Sequence, residues 1–515
     1  MPADMQHALG FLERAVSTAG DRAALLQDGL ALRYDAFAAA AAALGRQLRA
    51  LGAAGEGVAV LLPNSAELNV AVHAVWYASA KAVLFNPAYP VHELVPLLGD
   101  AAPRIVICSA DAAAPLREAA TSLGVAYLLT LGMHGEVTLD ELSARPHLAP
   151  PPAPHPSDVA VLLYTGGTTG IAKGVEHSHA SVVAMVEAMQ LAWPTRYATE
   201  TWLNVAPSFH VYGFLMGLMN PVAAAATLIP VARFKPDLVV DALASHRVTV
   251  FAGGPASLYG ALLAAETFPS ADLSSLRVCA AGGAPFPVEL LARWQRAVGC
   301  AIREAYGMTE MAPITGNQHA TLKSGSVGPA LPGVELSIVD TELGTHVLGA
   351  GAAGEVRVRG AHLFRGYRGR ADETAAALRD GWLHTGDIGY LDDDGYLFLV
   401  DRKKDLILVG GFNVYPREVE EVLIAHDAVR EVAVLGAPDA RKGEAVVAFV
   451  VLAKDATATV DDLHRHCAER LVTYKVPSRI ELLDAVPRTA ANKTDRRALR
   501  AILGALGALH DKETT

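Results

Sequence analysis

Short uninterrupted apolar runs punctuate this chain, and between them apolar residues recur every three or four positions. The runs are VAVLLP at 58–63, IVIC at 105–108, VAVLLYT at 159–165, TVFAGG at 249–254 and VCAAGG at 278–283. Runs of this length bounded by turn residues read as strands, and the helical periodicity between them indicates layered α/β structure with largely parallel sheets. The tract AFAAAAAALGRQL reads as a helix rather than a linker, because alanine is the strongest helix former. From about Val327 to Leu399 the texture changes to short alternating strands cut by Gly and Asp turns, as in GEVRVRG and DDDGYLFL, which predicts a small β-rich subdomain. A proline-rich connector, PPAPHP at 151–156, precedes the 159–165 strand, and a strand–helix alternation resumes after Asp401.

One stretch tests the membrane question. No Asp, Glu, Lys or Arg occurs between Glu200 and Arg233, and 211–232 is long enough to suggest a span. Asn220, Pro221, Pro230 and two glycines divide it into pieces of core length, so a buried helix followed by a buried strand is expected. No transmembrane segment is predicted, and contact with a membrane surface is left open, as is homo-oligomerisation.

Composition narrows the function. With 515 residues, 52% hydrophobic and 19% charged, the chain has ample material for large cores. A formal net charge of −11 argues against nucleic-acid binding, so anionic ligands would be met locally. Four cysteines, Cys108, Cys279, Cys300 and Cys467, show no C-x-x-C spacing and suit a reducing cytoplasm rather than a disulfide or zinc framework. The N-terminus lacks the basic and apolar regions of a signal peptide.

The segment VAVLLYTGGTTGIAKGVEHSH reads as strand, glycine-rich loop and helix. Its small residues would let backbone N–H groups close on phosphate oxygens, and Thr165, Thr168 and Thr169 add hydroxyls. It is not a Walker loop, because Lys173 is followed by Gly174 rather than by Ser or Thr. The pair His177 and His179, and the HRHC at 464–467, lack a second pair at zinc spacing and fit solvated helix starts or faces. No G-x-S-x-G element supports a hydrolase.

Further motifs follow in order: YGMTE at 306–310, GWLHTGD at 381–387, DRKKDLILVGGFNVYPREVE at 401–420 and PRTAANKTDRR around Lys493. Together with the loop they resemble the motifs of adenylate-forming enzymes, the superfamily of acyl-CoA synthetases, adenylation domains and luciferases. They are most similar to those of bacterial fatty-acyl-CoA ligases. The likeness runs from about Ser157 to Arg500, with the N-terminal third similar in texture alone. It implies an α/β fold. Residues 1–400 would form a large N-terminal domain of layered α/β subdomains plus the β-rich subdomain. A hinge at 401–404 and a small mobile α+β C-terminal domain at 405–515 would follow, with the active site between the two domains.

The resemblance also implies roles. Thr165, Gly166, Gly167, Thr168, Thr169, Gly170 and Lys173 correspond to the ATP phosphate loop. Gly283, Ala284, Pro285, Tyr306, Gly307 and Thr309 correspond to further nucleotide contacts, with Tyr306 stacking on adenine. Glu310 corresponds to the magnesium carboxylate and Asp387 to the acceptor of both ribose hydroxyls. Arg402 corresponds to a ribose or phosphate contact, and Lys493 to the catalytic lysine of adenylation. Asp401 and Lys404 match the hinge, and Gly410, Gly411 and Phe412 the route of the CoA thiol arm.

Around the acyl group are expected Val211, Tyr212, Phe214, Gly253, Gly254, Ala281 and Gly282. His210 stands where relatives activating α-amino acids place an aspartate, which favours a plain carboxylic acid; a lone histidine there reads either as a core residue or as a catalytic one. Gly166 and Ala172 replace a frequent serine and proline, a departure shared with the long-chain branch. Asn492 replaces a family glycine and can hold the same left-handed turn. The implied activity is an ATP- and magnesium-dependent acid–CoA ligase acting on a medium- or long-chain fatty acid. The rivals are an acyl-AMP ligase loading a carrier protein, an aryl-acid CoA ligase, a luciferase-like oxygenase and a non-catalytic binding descendant.

Overall fold

The computed structural model describes residues 5–144, 152–165, 172–283, 286–317, 323, 325–410, 412–439, 441–454, 456–489 and 494–513, with backbone alone at Lys404, Asn413 and 506–513. The chain forms two compact units, residues 1–335 with 359–381 and residues 336–358 with 382–515.

The first unit holds two sheets. In the seven-stranded sheet, Val159–Thr165, Lys81–Leu84, Gly57–Leu61, Ile105–Cys108 and Tyr127–Thr130 are neighbours in that order and parallel. In the eight-stranded sheet the parallel centre runs Ile302–Met308, Val278–Gly282, Val250–Gly254, Thr201–Asn204 and Thr227–Pro230. The apolar runs are thus strands buried on both faces. The helices Ala66–Tyr77 and His179–Ala192 touch strands of both sheets and form a shared layer. Trp76 shows how it is knitted. Its indole N–H donates to the Ala160 carbonyl of one sheet at 2.8 Å, while its ring meets Phe214, which follows a strand of the other. The alanine-rich tract is helical, as expected, over Tyr34–Ala50.

The charge-free stretch divides as its breakers predict. Helical turns cover Val211–Phe214, Leu215–Met219 and Asn220–Ala223, the middle one π-helical, and the strand Thr227–Pro230 follows. The Asn220 side-chain amide donates to the Leu215 carbonyl at 3.0 Å, serving a backbone acceptor at the start of the π-turn. Among the described residues no helix is long and apolar enough to cross a membrane.

The second unit contains an antiparallel sheet in which Gly354–Arg359 and Leu397–Arg402 flank Trp382–Leu391. Its other sheet runs Phe412–Val414, Ile407–Val409, Gly443–Leu452 and Val429–Asp439, with Arg479–Leu482 parallel to Gly443–Leu452. Gly443–Leu452 is apolar on both faces. Val446, Ala448 and Val450 pack towards Val419, Leu423 and Leu463, whereas Val447, Phe449 and Val451 pack towards Leu499 of the last helix. The period of two explains why one strand supports two helical layers.

Candidate active site

One expectation about the glycine loop needs correction. Beyond it the chain does not enter a helix but the strand Lys173–Ser178, antiparallel to Val159–Thr165, with Thr165 opposite Lys173. The next helix starts at His179. Alternation decides this: Val175 and His177 are buried, while Glu176 and Ser178 on the other face are only partly covered. Residues 166–171, Gly166 to Gly170 among them, lie outside the described residues, and Thr165 and Lys173 pair on either side of them. Lys173 Nζ meets Glu373 Oε2 at 2.5 Å and lies 4.8 Å from the Tyr367 ring centroid. Arg370 holds the same Glu373 carboxylate at 2.9 Å.

YGMTE forms a second hairpin. Tyr306 and Gly307 end the strand Ile302–Met308, and Met308 pairs with Met311, leaving Thr309 and Glu310 as the turn. Tyr306 is buried, opposite Thr315. Glu310 is buried as well, and the Tyr367 hydroxyl donates to its Oε1 at 2.7 Å. Burial, then the neighbouring carboxylate, raises the Tyr367 phenol, so it stays a neutral donor. Beneath the turn, His177 Nε2 lies 2.7 Å from the Thr309 carbonyl, which requires the proton on Nε2. The sequence reading took His177 and His179 as solvated, and the structure corrects this. Both are buried, and burial pushes each down to about 4. His464 and His466 do lie on a helix face, where His464 is exposed and His466 half-buried.

The segment expected around the acid begins at His210, which precedes the Val211–Phe214 turn with its ring 4.8 Å from that of Phe209. Val211 is half-buried, and Phe214 is wholly buried with its ring edge-on to Trp76. Tyr212 crosses the ends of two strands. Its hydroxyl donates to the Ala280 carbonyl at 3.0 Å, and its ring would lie 3.8 Å from a Cβ on Gly254 and 3.4 Å from one on Gly282. Gly254 is left-handed at φ +81°, and a Cβ on Gly282 would also stand 3.1 Å from the Ala305 carbonyl oxygen. Tyr212, Gly254 and Gly282 are therefore brought together. Gly253 and Ala281 face elsewhere: a Cβ on Gly253 would collide with Tyr259 and Phe251, and Ala281 belongs to that same core. Gly283 is left-handed at φ +84°, whereas Ala284 and Pro285 lie outside the described residues.

In the second unit, Asp387 and Arg402 are paired across neighbouring strands, with Arg402 Nε 3.0 Å from Asp387 Oδ1. Asp387 is buried, whereas half of the Arg402 side chain is exposed. Thr385 builds the approach by donating to the Val356 carbonyl at 2.7 Å and accepting the Asp387 N–H at 3.1 Å. Gly386 takes φ +70°, and its N–H donates to Glu355 Oε1. Glu355 is itself buried and also receives Lys403 Nζ at 3.0 Å.

The segment that the sequence reading takes as a hinge follows at once. Asp401 accepts the N–H groups of Arg402 at 2.7 Å and Arg417 at 2.9 Å, the second in the first turn of the Pro416–Ile424 helix. Burial raises its carboxyl above the usual range. The Lys404 side chain lies outside the description. Gly410, at φ +59°, opens the turn between Ile407–Val409 and Phe412–Val414; Gly411 lies outside the described residues, and the exposed Phe412 stacks on Tyr474 at 4.8 Å. Lys493 also lies outside them. After it, Arg496 and Arg500 of the last helix reach Asp405 at 3.8 and 3.7 Å.

Sequence reasoning did not single out Tyr367, Glu373 or Glu355. For Glu355 the sequence points the other way, because in GEVRVRG it shares its register with Arg357 and Arg359 and so reads as part of a charged face; for all three the signal lies only in contacts distant along the chain.

Comparison with known proteins gives the family and the fold. The AMP-binding enzyme family matches residues 12–368, and the AMP-binding enzyme C-terminal domain matches 418–493. A long-chain-fatty-acid–CoA ligase of Bacillus subtilis (strain 168) is 35% identical over 484 residues, 86% of this chain and 85% of that protein. Crystalline ATP-bound MatB from Rhodopseudomonas palustris aligns with a TM-score of 0.89 at 30% identity, over 96% of this chain and 99% of its own. o-Succinylbenzoate CoA synthetase (MenE) from Bacillus subtilis, in complex with the acyl-adenylate intermediate OSB-AMP, aligns with a TM-score of 0.82 at 30% identity, over 95% and 97%. With more than half of its length matched and relatives of this similarity, the chain belongs to the AMP-binding enzyme family.

Proposed function

We propose that the protein is an ATP-dependent acid–CoA ligase whose substrate is a medium- or long-chain fatty acid. The acid's carboxylate oxygen attacks the α-phosphorus of ATP and pyrophosphate leaves; the CoA thiol then attacks the acyl carbonyl and AMP leaves. The observation that carries this reading is Asp387. It is a buried carboxylate fixed by Arg402 on a strand with a left-handed glycine beside it, and as an ionised acceptor it suits the two O–H donors of a ribose.

The phosphate end is assigned to Thr165, Lys173 and the loop between them, with Tyr306 on the adenine. Among the described residues no three His, Cys, Asp or Glu side chains gather to hold a metal. A single buried carboxylate, Glu310, suits magnesium, which takes one or two protein carboxylates and fills its shell with phosphate oxygens and water. Bound there, the ion would offset phosphate charge. Lys493 would supply a second positive charge as two anions approach, a repulsion of about 1 to 4 kcal/mol per close pair at effective dielectrics of 80 to 20.

The acid is assigned to the segment His210–Phe214 with Gly254 and Gly282. For the thiol step, Asp401 and Lys404 form the pivot, with Gly410, Gly411 and Phe412 lining the route of the thiol arm. The test is pyrophosphate release over saturated acids of increasing length, with and without CoA. Acid-dependent release followed by CoA-dependent thioester is expected. Adenylate without any thioester would shift the acceptor to a carrier protein, and no acid-dependent release would overturn the reading.

A further inference from the structure

The acid segment hangs from an elbow, residues 205–208, that joins the strand Thr201–Asn204 to His210. Two buried asparagines clasp it. Asn204 Nδ2 donates to the Ala206 carbonyl at 2.9 Å, and the Ala206 N–H returns to Asn204 Oδ1 at 3.2 Å. The second asparagine comes from the other sheet. Asn64 follows the strand Gly57–Leu61 and precedes Ser65, the N-cap of the Ala66–Tyr77 helix.

Asn64 is 8% exposed, and its side chain uses every hydrogen-bonding position it has. Nδ2 donates to the carbonyls of Ala206 at 2.9 Å and Val231 at 3.2 Å. Oδ1 accepts the Ser208 N–H at 3.1 Å and the Ser208 hydroxyl at 2.8 Å. Two carbonyls on one end and a backbone N–H on the other admit one orientation of the amide. Val231 follows the strand Thr227–Pro230, so this one amide ties the carboxyl end of a strand in the seven-stranded sheet to the loops after two strands of the eight-stranded sheet. In parallel α/β folds that is where ligands bind.

The elbow is also pressed close to the turn it feeds. A Cβ on Gly213 would lie 2.0 Å from the Pro207 carbonyl oxygen, and one on Gly217 would lie 2.3 Å from Asn204 Nδ2. Backbone packed this tightly transmits a shift of the elbow directly to Val211, Tyr212 and Phe214.

We infer that Asn64 is a positioning residue for the acid: by locking the elbow to both sheets it sets where His210 and Tyr212 stand. The inference rests on the assignment of the acid to His210–Phe214. The elbow carries side chains assigned to the acid and none assigned to the nucleotide, so loss of the clamp should weaken binding of the acid and leave that of the nucleotide.

The experiment measures acid-dependent pyrophosphate release by the full chain, varying acid and ATP separately. Asn64→Ala leaves buried partners unpaired and should raise the KM for the acid about tenfold or more and change that for ATP by less than about threefold. Ser208→Ala keeps its backbone N–H on Oδ1 and should shift the acid KM in the same direction by about two- to threefold, which carries the test if Asn64→Ala does not fold. Asn69→Ala is the control for a structural role. Asn69 is a buried amide in the adjoining helix whose Nδ2 donates to the Ser65 carbonyl at 3.0 Å, so its loss should lower the melting temperature without splitting the two constants. A rise common to acid and ATP in Asn64→Ala, the same split in Asn69→Ala, or an unmoved acid KM in Ser208→Ala overturns the inference alone. A parent that releases no pyrophosphate with any acid overturns the functional reading and this inference with it.

Discussion

Glu310 and Asp387 are both buried carboxylates on β-hairpins, one in each compact unit, yet they are held by opposite kinds of donor. The Tyr367 hydroxyl that reaches Glu310 is neutral, whereas the Arg402 guanidinium beside Asp387 is a permanent cation. The Tyr367 phenol orients the Glu310 carboxylate without bringing a charge of its own. A guanidinium largely cancels the charge of its carboxylate and leaves oxygen lone pairs for neutral hydroxyls. The donor described at each carboxylate fits the chemistry that its motif implies.

The sharpest way to break this comparison is to remove charge from each carboxylate while keeping its shape. Glu310→Gln can still accept from Tyr367 but has no net charge for a metal, so adenylation should fall about a hundredfold or more, with a raised magnesium requirement. Asp387→Asn should weaken ATP binding by about 1.5 to 3 kcal/mol, the range for hydrogen bonds to a charged group, at an unchanged magnesium requirement. Titrating magnesium against the pyrophosphate-release rate of each variant separates them. Equal magnesium dependence in both would show that the two carboxylates do the same work.

How much of this contrast could be read along the chain depends on how far apart the interacting residues lie. VAVLLYT and IVIC declared themselves as strands because a run buried on both faces carries its own signal, and the structure has them at Val159–Thr165 and Ile105–Cys108. GVEHSH did not, since six residues after a glycine-rich loop suit a helix start as well as a strand; burial of Val175 and His177 together decides for the strand. Glu310 and Asp387 were legible through the motifs around them. Tyr367, 57 residues from Glu310 along the chain, was not, because one tyrosine in alternating texture says nothing of the carboxylate it will meet. Gly253 illustrates the same gap at one position: it adjoins Gly254, yet neighbours on a strand point to opposite faces and only Gly254 looks towards Tyr212.

Tyr367→Phe sharpens the comparison from the partner's side. It removes one neutral hydrogen bond and no charge, so the expected loss is about 1 kcal/mol, or roughly fivefold in adenylation, again with a raised magnesium requirement. Arg402→Gln makes the complementary change at the other carboxylate, and ATP affinity should fall without any change in the response to magnesium. If Tyr367→Phe instead lowers ATP affinity and leaves the magnesium response as it was, the phenol serves the nucleotide and not Glu310.

The smallest effect at neutral pH belongs to His177, whose ring supports the turn carrying Glu310. Its Nε2–H donates to Thr309, its Nδ1 has no hydrogen-bond partner among the described residues, and burial pushes it down to about 4, below the ordinary 6.5. Between those two values the unfolded chain binds the proton that the folded chain refuses, so stability rises with pH in that window and is lost as the pH falls through it. The slope is at most about 1.4 kcal/mol per pH unit for one histidine. His73 and His179, each pushed down to about 4, contribute with the same sign, while Asp401 and Glu420, raised by burial, contribute with the opposite sign. The difference between parent and variant isolates His177 from all four. His177→Gln can keep a donor to Thr309 and cannot titrate, so its adenylation rate at pH 7.5 should stay within about fivefold of the parent, and its unfolding free energy should fall less steeply between pH 6.5 and 4. Denaturant melts at half-unit steps would read this directly, and parallel profiles for parent and variant would mean that His177 is already charged beneath Glu310.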